Sequence, residues 1–106
     1  MPKFLITGSY TAEGTRGLMK EGGSGRRAAV QKALDGVGGK LEAFYFAFGK
    51  DDTYVIVDVP DTASVIAVSL AVNASGVVRV NTTPLISPDD LDAASKKSIA
   101  FRAPGA

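Results

Sequence analysis

The stretch Gly22-Gly23-Ser24-Gly25-Arg26-Arg27 is the richest in chemical possibility. Glycines ahead of a helix leave backbone amides open to an anion, Ser24 is a good N-cap, and Arg26 and Arg27 can pair with phosphate or carboxylate. Gly17-x4-Gly22-Gly23-Ser24 copies the glycine spacing of a Walker loop but puts glycine where the phosphate-binding lysine must stand. The functional reading is a small-anion site formed by Ser24, Arg26 and Arg27. The plainer one is a glycine hinge with solvated arginines.

A second constellation comes from the strand patterns. If Thr7, Ser9, Asp58 and Arg79 share one sheet face, Asp58 and Arg79 flank the first strand from opposite sides, their backbones roughly 10 Å apart. That is a polar cluster in apolar surroundings, able to orient a ligand or, with Asp58 made more basic by burial, to remove a proton. In the plainer reading each residue meets solvent or a neighbouring subunit. Tyr10, Tyr45 and Tyr54 offer phenolic donors to a ligand oxygen, although tyrosines at strand ends and interfaces usually serve packing.

The chain has neither cysteine nor histidine. Those absences exclude disulfides, thiolate and Ser-His-Asp catalysis, sulfur-ligated zinc, and haem or facial-triad iron held by histidine. No cofactor or metal site is expected, and any metal would need hard oxygen ligands. With 12 Lys+Arg against 11 Asp+Glu, the net charge of +1 gives no global field to attract nucleic acid or an anionic membrane. The start, Met1-Pro2-Lys3-Phe4-Leu5-Ile6, has too short an apolar run for a signal or membrane segment, so the expected location is cytoplasmic.

These residues are positioned by elements the local pattern defines. Lys3–Tyr10 alternates as a strand, and Thr11–Glu21, weakened by Gly14 and Gly17, reads as a short or irregular helix. After Ser24, Val30, Ala33, Leu34 and Val37 define an amphipathic helix over about Gly25–Asp35. Lys40–Phe48 and Thr53–Val59 form a hairpin around Gly49-Lys50-Asp51-Asp52. Asp61 caps a helix over Thr62–Ala74, Val77–Thr83 is the fourth strand, and Ser87-Pro88-Asp89-Asp90 starts a last helix.

The order β-α-β-β-α-β with an additional C-terminal helix is the α+β, ferredoxin-like plait, with antiparallel sheet order 4-1-3-2 and both main helices on one face. The 106 residues suffice for one domain, expected over residues 1–97, with residues 98–106 as a flexible tail. The other sheet face is left bare with Leu5, Ile56, Tyr54 and either Tyr45 or Phe44 and Phe46, while Thr62–Ala74 is apolar all round. An apolar patch of that size and a helix with no polar side both imply a covering partner, so a homo-oligomer is expected, two sheets packing face to face around a cavity.

Phe48-Gly49-Lys50-Asp51-Asp52-Thr53-Tyr54-Val55-Ile56-Val57-Asp58, the stretch Leu70–Thr83, the opening Tyr10–Gly14 and the Arg26-Arg27 region resemble the GYD-domain family of bacterial proteins over about residues 3–95. The family's Gly-x-Tyr-Asp turn is matched by Gly49 and Asp52, with Asp51 at the tyrosine position. The resemblance implies similarity to dimeric α/β-barrel proteins, and with it a homo-oligomer, but no catalytic residues. The functional expectation is a small-molecule-binding homo-oligomer, its ligand a small anion. Two alternatives stand beside it: a cofactor-independent isomerase or oxygenase of the dimeric α/β-barrel type, with Asp58 or a tyrosine as base, and a structural or regulatory interaction domain.

Overall fold

In the computed structural model, which describes residues 1–106, eight elements follow one another. They are β1 (Lys3–Tyr10), α1 (Ala12–Glu21), α2 (Gly23–Asp35), β2 (Lys40–Phe46), β3 (Thr53–Asp58), α3 (Thr62–Ala74), β4 (Val78–Leu85) and α4 (Pro88–Ser95). The four strands make one antiparallel sheet ordered β2-β3-β1-β4, the plait order expected. No helix is long and apolar enough to cross a membrane.

Local chemistry sets the helix starts. Thr11, Asp61 and Ser87 each turn a side-chain oxygen onto a first-turn amide, at Gly14 (3.1 Å), Ser64 (2.8 Å) and Asp90 (3.0 Å). Despite its two glycines, α1 is a regular helix. Gly14 is needed there because a methyl group would overlap the carbonyl oxygen of Val77, the same oxygen that accepts from Thr11. β4 runs on through Pro84, tolerated because β4 is an edge strand.

Alternation puts Phe4 and Ile6 of β1 and Val55 and Val57 of β3 under the helices, where they join Leu34, Val59 and Val65 in the core. β2 departs from strict alternation. A bulge at Glu42 pairs Leu41 with Val57 but Ala43 with Ile56, so Leu41 faces the helices together with Phe44 and Phe46. Tyr45, opposite Tyr54, is therefore the aromatic residue that β2 presents to the open face. The rows across that face are Tyr45-Tyr54-Thr7-Asn81 and Ala43-Ile56-Leu5-Thr83.

α2 and α3 run in opposite directions over the sheet. Where α2 ends and α3 begins, Leu34, Val59 and Val65 meet and are almost fully buried. At the other end the helices part. α3 is tied to β4 by Ser69–Thr82 (2.7 Å) and by Asn73, whose side chain accepts from the amide of Val80 (2.9 Å), while α2 packs toward β2. A cleft opens between the two helices above the central strands.

Candidate functional site

The inward row of α2 is Arg26-Val30-Leu34, spaced at i, i+4 and i+8, so one face of the helix carries a hydrophobe at its far end and a guanidinium at its near end. Arg26, with Val30, forms the α2 wall of the cleft, Val68 and Val72 the α3 wall, and Ile6 and Val55 part of the floor. The cleft has a volume of about 80 Å³, and nine of its eleven lining residues are hydrophobic. Arg26 is the one ionised group in it.

At its mouth the cleft adjoins a wider, more polar hollow of about 320 Å³ against α1, and Tyr10, Arg26 and Val78 border both. The α1 wall is Glu13, Gly17 and Glu21, four residues apart on one helix face, with open space above Gly17. The nearest carboxylate to Arg26 is Glu21 at 3.8 Å, an ion pair too long for a hydrogen bond, and both side chains are about one-third exposed. The guanidinium makes no hydrogen bond to Glu21 and is partly open to solvent. Burial pushes the Tyr10 phenol above its ordinary pKa, with Arg26 pulling the other way, so at neutral pH Tyr10 is a hydrogen-bond donor.

The hairpin turn holds Tyr10 in place. Asp52 accepts from the backbone amide of Tyr10 (2.8 Å), its own amide donates to Gly8 (2.7 Å), and its carbonyl receives the amide of Ala47 (2.8 Å). One aspartate thus ties together the ends of β1, β2 and β3. Sequence reading treated it as turn chemistry and missed this role, although an Asp beside the first residue of a strand was the available signal.

The glycine-rich stretch differs from the expected loop. α2 begins at Gly23, the chain breaks between helices at the single residue Gly22 (φ 83°), and Ser24 lies inside the first turn with no capping bond. Left-handed geometry at Gly22 needs no Cβ, so the break takes one residue. Arg26 and Arg27, neighbours about 100° apart around the helix, do not converge: Arg26 lines the cleft and Arg27 is exposed.

The second expected cluster is taken apart by strand register. Asp58 pairs with Lys3 and Arg79 with Ser9, six positions along β1, so Asp58 and Arg79 lie about 20 Å apart rather than 10 Å. Asp58 bonds to Lys3 (2.9 Å), which also bonds Glu42 (2.6 Å), and these hydrogen bonds, Glu42 first, raise the lysine pKa. Ser9 donates to Asp51 at 3.4 Å, Thr7 sits between Tyr54 and Asn81, and Arg79 is exposed. All four face away from the cleft. Of the three tyrosines offered as phenolic donors, Tyr10 is the one that borders the cleft. Glu13 and Glu21 were not named: Glu21 meets Arg26 across the break at Gly22, five residues away, and Glu13 reaches the same hollow through the packing of α1.

No curated protein and no solved structure matches the chain. The family model described as the GYD domain matches residues 4–95, and the chain accordingly belongs to the GYD-domain family.

Proposed function

We propose that this chain binds a small molecule with an apolar body and a carboxylate in the cleft between α2 and α3, and that it works as a homo-oligomer assembled through its open sheet face. One observation carries the reading: Arg26 continues an apolar row, opens onto an apolar cleft, and has no hydrogen-bonding partner of its own. The guanidinium is about one-third exposed and its ion pair with Glu21 is too long for a hydrogen bond, so its donors are open to a ligand carboxylate, a two-pronged match.

Assembly is supported by the bare face, where Tyr45 is 71% exposed beside Tyr54, Ile56 and Leu5, and by the outward stripe of α3, with Ile66 50% and Leu70 65% exposed. A catalytic reading has less behind it. Asp58 is paired with Lys3 on the opposite side of the sheet from the cleft, and Tyr10 is held protonated rather than made basic.

Thermal denaturation against a panel of small apolar carboxylates and amino acids tests the site. At least one compound should raise the Tm of the wild type and of Arg27→Gln but not of Arg26→Gln. Equal shifts in all three proteins, or none in any, would remove Arg26 as the anchor.

A further inference from the structure

The charges around Arg26 narrow the ligand further, on the reading that the cleft is a ligand site. A plain anion is poorly matched to the mouth. The hollow that Arg26 borders also holds Glu13 and Glu21, so it carries two negative charges against one positive. An anion on the guanidinium would lie within a few ångströms of Glu21 and be repelled by it.

A ligand carrying both signs reverses that penalty. In an α-amino acid the ammonium nitrogen and the carboxylate carbon sit on one carbon, about 2.5 Å apart by bond lengths. The receptor groups, Arg26 and Glu21, are 3.8 Å apart, opposite in sign and not hydrogen-bonded to each other, so each can take the complementary group of one such head. The phenol of Tyr10 lies between hollow and cleft as a donor, while Glu13 lines the same hollow two helical turns, about 12 Å, from Glu21.

The cleft then limits the side chain. It is walled mostly by valines, and 80 Å³ is about half the volume of an apolar cavity that takes the six carbons of benzene, which leaves room for about three or four carbons. We infer that this site is built for a small branched-chain α-amino acid, carboxylate on Arg26, ammonium on Glu21, and side chain in the valine-lined cleft between α2 and α3.

Isothermal titration of the full chain with L-valine, L-leucine, L-phenylalanine, 4-methylpentanoate and 3-methylbutylamine tests this. L-Valine or L-leucine should bind at least about tenfold tighter than 4-methylpentanoate or the amine, since a charge-assisted hydrogen bond contributes roughly that factor, and tighter than L-phenylalanine, whose ring is too large for the cleft. Glu21→Gln, at a partly exposed helix position, should erase the preference of L-leucine over 4-methylpentanoate. Arg26→Gln should abolish both.

If 4-methylpentanoate binds as well as L-leucine and both depend on Arg26, the amino-acid assignment falls while the carboxylate site stands. If no probe shows Arg26-dependent binding, the site itself falls. L-Leucine binding that survives in Arg26→Gln overturns both.

Discussion

The two ends of the helix layer are made of the same residue types and are packed differently. At one end Leu34, Val57, Val59 and Val65 are at most 2% exposed. At the other, Val30, Val68, Val72 and Val78 are only half-buried around a cleft. Hydrophobicity does not separate the two, since valine supplies most of both. What differs is the residue α2 places on its inward row: Leu34 can be enclosed, whereas Arg26 must keep its head solvated or paired, and the helices cannot close over it.

Leu34→Ala should destabilise the protein by about 3 kcal/mol, because the cavity left there cannot collapse, whereas Val72→Ala should cost less than about 1 kcal/mol. Urea unfolding of the two variants gives the answer. Similar losses would mean that the ends are equivalently packed.

A second test asks whether assembly covers the open sheet face and leaves the cleft free. Ile56→Asp puts a charge in the middle of that face and should weaken association by on the order of 2 kcal/mol per subunit. Equilibrium sedimentation should then shift toward the 10.9 kDa monomer while ligand response at the cleft persists. A wild type that is already monomeric at micromolar concentration would remove the assembly reading.

Arg26→Leu sharpens the contrast between the ends. With a hydrophobe completing the α2 row, the helices should close and the protein should gain about 1 kcal/mol while losing its response to carboxylates. A destabilised variant would mean that the guanidinium supports the fold and that the cleft is incidental packing.

The smallest effect belongs to the cap at the closed end. Hydrogen bonds from Ser64, its hydroxyl first and then its amide, hold the Asp61 carboxyl below its ordinary pKa. A lowered folded-state value means that the stabilisation is present above the unfolded value of about 3.9 and is lost as pH falls through the folded one. Asp61→Asn should therefore be slightly less stable than wild type at neutral pH, with the two Tm curves converging below about pH 3.9. A constant difference down to lower pH would show that the charge is not what the cap contributes.

Much of this molecule was written in near-neighbour chemistry. Period-two alternation in β1 and β3 assigned Phe4, Ile6, Val55 and Val57 to the helix side, and Asp61 and Ser87 marked helix starts, because a cap or a strand face is decided within three or four residues. The plait order followed from element order and connection handedness. Three things were decided only by long-range structure. The bulge at Glu42 determined which face of β2 carries Tyr45, since a one-residue slip reverses every side chain beyond it. The register of β1 against β3 and β4 sent Asp58 and Arg79 to opposite ends of the sheet. The docking of α1 brought Tyr10 and Glu13 to the hollow that Glu21 and Arg26, neighbours across the break at Gly22, also line. None of these follows from spacing in the chain, because each depends on which of several locally equal pairings buries the core best.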